Sequence, residues 1–149
     1  ILENRSKGFR SGALILKDGK LLVMHQILGD EDFYTIPGGS WEEGEDLEET
    51  CAREVKEEFN IDVEVGRLVF LLDTNTRIAF YFECTTDEDE IKLGGPEGDR
   101  MNDHEQYYVE WLDLDEIAKT KFLPEPAREG IIKYLTNSQQ PTFFLTTKE

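Results

Sequence analysis

Three glutamates, Glu54, Glu57 and Glu58, stand at i, i+3 and i+4 in a stretch whose apolar residues Leu47, Cys51, Ala52, Val55 and Phe59 recur every three or four positions. On a helix that spacing gathers the carboxylates within one turn, opposite the apolar stripe. Like charges so placed repel by a few tenths of a kcal/mol per pair. A solvated acidic face is the plain account of such a trio. The chemical account is a hard-cation site, because Mg²⁺ takes oxygen ligands and needs few carboxylates when substrate phosphates supply the rest.

The surroundings favour the chemical account. Gly39 is followed after five residues by Glu45, and after seven more by Arg53-Glu54-Val55-Lys56-Glu57-Glu58-Phe59-Asn60-Ile61. This resembles the Nudix box: glycine, five residues, glutamate, seven residues, Arg-Glu, an aliphatic, any residue, Glu-Glu, any residue, glycine, aliphatic. Every fixed position matches from Gly39 to Ile61 except one, where Asn60 replaces the glycine. That position lies just past the helix, where a left-handed residue commonly ends it, and asparagine is the next best residue for that conformation.

The resemblance implies an α+β fold, an α/β/α sandwich around a mixed sheet. It also implies an enzyme in which Mg²⁺, or Mn²⁺, neutralises a diphosphate and lowers the pKa of a water that attacks phosphorus. By matching positions, Glu54, Glu57 and Glu58 are expected metal ligands, with the Gly38 carbonyl as another. Arg53 and Glu45 are expected to brace the loop of Gly39 against the helix, with proton transfer as an alternative role for Glu45.

In the antimutator members of that family a further glutamate reaches the metals from the loop before a Trp-containing strand. Glu105, six residues before Trp111, fits that place, and Glu110, next to the Trp, competes with it. His25 ends the second apolar run, where relatives often carry a basic residue, and is expected to face the substrate phosphates. Phe33, Tyr34, Arg77 and Phe80 are candidates for a base-binding pocket, although aromatic residues on strands are usually core. Trp41 and Trp111 read as packing anchors, and His104 and the run Asp87 to Glu90 as solvated loop.

These residues need elements to hold them. Ala13–Leu16 and Leu21–Met24 flank Lys17-Asp18-Gly19-Lys20, a hairpin signature. Gln26 to Asp32 reads as a polar loop, Phe33 to Ile36 as a strand, and Pro37-Gly38-Gly39 as a break. Asp46 to Phe59 is the helix, capped by Glu45 or Asp46. Ile61 to Leu72 and Arg77 to Thr85 read as strands joined by a turn, and Thr86 to His104 as a long acidic loop. Tyr107 to Leu112 is a strand, Asp113 to Lys119 a short helix, and Pro126 to Leu135 an amphipathic helix opened by proline. Pro141 to Glu149 is an extra strand or a tail.

At 149 residues the chain suits one domain, with a core at about 8–136. The formal charge of -17 argues against gripping a nucleic-acid polymer through a basic surface. No apolar run reaches a membrane span, and no signal-peptide pattern opens the chain. Cys51 and Cys84 lack the spacing of a zinc site or disulfide framework, and read as reduced core thiols of a cytoplasmic protein. A homodimer stays open.

The expected substrate is a small nucleotide, foremost a nucleoside triphosphate. ADP-ribose or a nucleotide sugar comes next, because Thr76 stands where many ADP-ribose members carry proline. A non-catalytic nucleotide-sensing module is the alternative of another class, and the intact set of box carboxylates weighs against it.

Overall fold

Asp18 and Gly19 both take positive φ, 52° and 75°, the pair of left-handed residues that a two-residue hairpin turn demands. In the computed structural model, which describes residues 7–88 and 104–146, this turn joins β1 (Gly8–Lys17) to β2 (Lys20–Leu28). The hairpin stays paired only next to its turn, at Leu16 with Leu21 and Lys17 with Lys20. Beyond that the two strands part. β1 pairs in parallel with β6 (Arg77–Thr85) and antiparallel with the short β4 (Gly38–Ser40), while β2 pairs antiparallel with β3 (Glu31–Thr35) and β7 (Glu105–Asp113). One mixed sheet therefore splits into two leaves, and the split opens a cleft.

β5 (Glu64–Asp73) pairs antiparallel with β6, and β8 (Phe143–Thr146) adds to β5 in parallel, giving the order β3-β2-β1-β6-β5-β8. Helix α1 (Leu47–Phe59) buries Cys51, Val55 and Phe59 against Ala13, Ile15, Leu22, Met24 and Phe82. A 3₁₀ helix (Leu114–Lys119) and α2 (Glu125–Thr136) cover the other face, where Ile117, Ala127 and Ile131 meet Leu14, Val23, Phe70 and Leu72. Helical layers thus flank a mixed sheet, as expected of an α+β sandwich. Cys51 and Cys84 are free thiols, both buried, with their sulfurs 3.7 Å apart.

The structure corrects the reading of the β2–β3 region. Gln26 to Asp32 is not a loop: β2 runs on to Leu28, Gly29 turns the chain at φ 62°, and β3 begins at Glu31. These polar residues sit in strands because β2 is flanked on both sides, by β3 and β7, which satisfy its backbone whatever its side chains. Pro37-Gly38-Gly39 likewise does not simply break structure, since Gly38–Ser40 forms β4 against β1. Of the acidic loop Thr86 to His104, positions 89–103 lie outside the described residues. The end of the chain resolves in favour of a strand, β8, with 147–149 outside the described residues.

Candidate active site

Helix α1 is held at both ends by its own sequence. Asp46 accepts from the Glu49 backbone N–H while the Glu49 side chain accepts from that of Asp46, a reciprocal capping box. Asn60 ends the helix in the left-handed conformation, φ 56° and ψ 35°, its N–H bonded to the Lys56 carbonyl. Asparagine therefore does here what glycine does in the usual pattern. Ser11, fully buried on β1, donates its hydroxyl to the Leu47 carbonyl at 2.7 Å and pins the start of the helix to the sheet.

The two glycines of β4 have different duties. A Cβ on Gly38 would fall 2.1 Å from the Ser11 carbonyl oxygen and 2.8 Å from the Gly12 Cα, so this glycine lets β4 close on β1. A Cβ on Gly39 would fall 2.1 Å from the Glu54 Cδ, so this one lets a carboxylate lie against the backbone. The Gly38 N–H also donates to Glu58 Oε2 at 3.2 Å. The helix and the loop before it thus present Glu54 and Glu58 to one short piece of backbone.

Arg53 is the hub of the polar network. Its Nε and Nη2 donate to the two oxygens of Glu45 at 3.0 and 2.8 Å, Nη2 also reaches the Ser40 carbonyl at 2.9 Å, and Nη1 donates to Glu54 at 2.8 Å. Nη1 lies 3.4 Å from both oxygens of Glu57. Arg53, followed by the Thr50 hydroxyl at 2.7 Å, holds the Glu45 carboxyl down from about 4.5 to about 2. Burial pushes the Glu54 carboxyl up against the opposing pull of Arg53. A buried carboxylate with a raised pKa and a carboxylate neighbour is one that gains from added positive charge.

Two adjoining cavities occupy the split between the leaves. The first, about 250 Å³, is lined by Glu58 and Gly38 at one end, Met24, Gln26, Thr35 and Tyr107 along one leaf, and Arg10 and Tyr81 along the other. The second, about 340 Å³, shares Arg10, Tyr81, Leu123 and Pro124 with the first and continues to Arg77 and Thr74.

Strand alternation sorts the remaining candidates. Directly opposite residues share a face, so Leu28 with Glu105, Gln26 with Tyr107 and Met24 with Val109 stand on the side of α1 and the first cavity. Glu105 is one rung beyond Tyr107 on that face, roughly 7 Å along the strand. Glu110 points the other way, toward His25, whose Nδ1 is 3.4 Å from it. His25 contacts Asp32 through Nε2 at 2.5 Å and stacks on Tyr34, with ring centroids 4.4 Å apart. His25 and Tyr34 therefore lie on the sheet face opposite Gln26, and neither lines either cavity. Phe33, buried opposite Gln26, and Phe80, packed on the α1 side, line neither cavity, whereas Arg77 does line the second.

Sequence reasoning missed Arg10, Gln26 and Tyr81. Alternation on β2 was the available signal for Gln26, since Met24 is core on the α1 side and Gln26 must follow it there. Nothing local marked Arg10, whose place depends on the parallel pairing of β1 with β6, where it stands opposite Ala79.

Among the described residues no three of His, Cys, Asp and Glu are gathered tightly enough to cage a metal ion. Arg53 Nη1 takes the oxygens of Glu54 and Glu57. The donor set nevertheless fits a hard divalent cation: three carboxylates on one helical turn, one of them desolvated against Gly39.

The family model described as the NUDIX domain matches residues 8–135. A MutT-like protein of Streptomyces ambofaciens is 33% identical over 111 residues, which cover 73% of this chain and 65% of that protein. Nudix hydrolase 5 of Arabidopsis thaliana is 24% identical over 143 residues, covering 90% of this chain and 45% of that protein. The chain thus spans less than two thirds of the length of either relative. A NUDIX hydrolase structure from Nitrosomonas europaea superposes with a TM-score of 0.77 over 99% of this chain and 82% of that one, at 18% identity, a likeness of fold.

Proposed function

The chain belongs to the NUDIX family, hydrolases of phosphoric anhydride bonds that generally use divalent metal ions, and we propose that it cleaves the diphosphate of a small nucleotide with Mg²⁺. Mn²⁺ is an alternative cofactor, and a nucleoside triphosphate is the preferred substrate. The observation that carries this reading is the meeting of Glu54 and Glu58 with the Gly38-Gly39 backbone, where Glu58 and Gly38 line the first cavity, with Glu57 on the same turn.

Glu54, Glu57 and Glu58, with the Gly38 carbonyl, would hold the cation. When bound, it supplies charge neutralisation for the diphosphate and acidifies the attacking water. Arg53 and Glu45 lock the loop to the helix, so the carboxylates keep their places as substrate binds. The low pKa and the doubly hydrogen-bonded carboxylate of Glu45 favour this bracing over proton transfer. Glu105, on the same face of β7 as Tyr107, would join the cation or take a proton from the water. Gln26, which donates to the Thr35 hydroxyl at 2.9 Å and lines the cleft, takes the substrate-facing place expected of His25.

The test is a screen of nucleoside triphosphates, ADP-ribose and nucleotide sugars for Mg²⁺-dependent release of phosphate, pyrophosphate or nucleoside monophosphate. Binding of a nucleotide with no turnover of any would mark a sensing module instead.

A further inference from the structure

The second cavity holds two arginines that the proposed hydrolysis leaves without a defined task. Arg10 and Arg77 project into it from neighbouring parallel strands, and among the described residues neither guanidinium has a hydrogen bond or ion pair. The chain carries 33 acidic and 16 basic residues, and several of its cations have acidic partners: Lys7 pairs with Asp73, Lys20 with Asp113, Lys56 with Asp62, and Arg128 with Glu125. Asp73, on β5 beside the cavity's rim, is thus already engaged by Lys7.

Beside the two arginines stands Tyr81, only 3% exposed, which lines both cavities. Its ring stacks on Phe70, with centroids 4.4 Å apart, and its hydroxyl has no hydrogen-bond partner among the described residues. The ring fits because position 12 is glycine: a Cβ there would lie 2.9 Å from the Tyr81 Cδ1 and Cε1. Two guanidiniums that line one cavity repel each other. An anion in the cavity offsets that repulsion and gives the Tyr81 hydroxyl an acceptor. Guanidinium forks match phosphoryl oxygens in shape as well as charge.

We propose that Arg10, Arg77 and Tyr81 form an anion subsite that takes a phosphoryl group of the substrate separate from the scissile diphosphate. The inference rests on the hydrolase reading for its substrate and makes these residues determinants of specificity. The extra phosphoryl group has two chemical sources: the end of a triphosphate chain, or a phosphate ester on the group beyond the diphosphate. A diphosphate joined to a neutral sugar has nothing to offer the subsite.

The experiment uses the full chain with Mg²⁺ and three substrates: a nucleoside triphosphate, a nucleoside diphosphate joined to a neutral hexose, and the same conjugate with a phosphorylated hexose. Wild type should prefer one of the phosphoryl-bearing substrates, and which one identifies the source. Arg10→Gln and Arg77→Gln should each cut that preference about tenfold, through KM more than kcat, and Arg10→Lys should recover part of it. No preference in wild type, or an undiminished one in both glutamine variants, overturns the proposal. A second readout needs no turnover: melting in inorganic phosphate without divalent metal, against chloride at equal ionic strength. Phosphate should raise the Tm of wild type and not of the Arg10→Gln, Arg77→Gln double variant, and an equal rise in both overturns the subsite. Phosphate stabilisation that depends on the arginines, without hydrolysis of any nucleotide, would uphold the subsite and sink the hydrolase reading.

Discussion

Replacing Gly39 with alanine places a methyl carbon 2.1 Å from the Glu54 Cδ and 2.3 and 2.5 Å from its two oxygens. Carbon atoms rest at about 3.5 Å, so the carboxylate must retreat by roughly 1.4 Å. It can, because the obstacle is the end of a rotatable side chain, at the cost of its 2.8 Å contact with Arg53. That loss should lower stability by about 1–2 kcal/mol. A misplacement near 1 Å at a reacting centre costs about a hundredfold in rate, which sets the expected fall in kcat. Gly38→Ala is the contrast, since its methyl meets the Ser11 carbonyl oxygen at 2.1 Å and no side-chain rotation relieves a clash with backbone. It should cost about 3 kcal/mol or more of stability. Denaturant unfolding with steady-state kinetics at saturating Mg²⁺ and substrate separates the two. Wild-type kcat in Gly39→Ala, or equal destabilisation by both substitutions, would refute the assignment of Glu54 to the site.

Glu57→Gln and Glu58→Gln should each remove nearly all turnover without lowering the Tm in metal-free buffer, because each relieves repulsion on α1. A large drop in Tm would make these carboxylates structural. Mg²⁺ should raise the Tm of wild type by mass action and have little effect on the double Glu57→Gln, Glu58→Gln variant, whereas an equal rise in both would indicate general screening of the acidic chain. Glu105→Gln should lower kcat at least tenfold, and Glu110→Gln, facing His25 on the other side of β7, should do much less; the reverse order would move the role to Glu110. The Glu45 carboxyl is depressed on folding, so its pairing stabilises above its unfolded value near 4.5 and is lost as pH falls toward about 2. The stability gap between wild type and Glu45→Gln should therefore be level above about pH 5 and close between pH 4.5 and 2, and a gap unchanged across that window would contradict the Arg53–Glu45 brace.

What could be read in advance follows how local each feature is. The box helix depends on residues within one or two turns and was legible from spacing, with its cap narrowed to Glu45 or Asp46, while the left-handed end at Asn60 followed from the place of the glycine in the resembled box. The Asp18-Gly19 turn and the strand Arg77–Thr85 are equally local. The β2–β3 hairpin escaped because its polar residues carry no alternating apolar signal, although Gly29 marked the turn. The cleft escaped for a different reason. It arises where β1 leaves β2 for the distant β6, a pairing that no short window of sequence contains. That pairing brings Arg10 to Tyr81 and Arg77, and the same alternation along β2 aims Gln26 into the cleft and turns His25 away.

The central claim is that this cleft lets water split a phosphoric anhydride with the help of a divalent cation. It is tested most directly by incubating a nucleoside triphosphate with the full chain and Mg²⁺ in ¹⁸O-enriched water, then examining the products by ³¹P spectroscopy and mass. The account predicts cleavage of the phosphate chain with one ¹⁸O in a single phosphorus product, abolished by chelation and by Glu57→Gln. Intact nucleotides across the triphosphates, ADP-ribose and nucleotide sugars, with either Mg²⁺ or Mn²⁺, would contradict it.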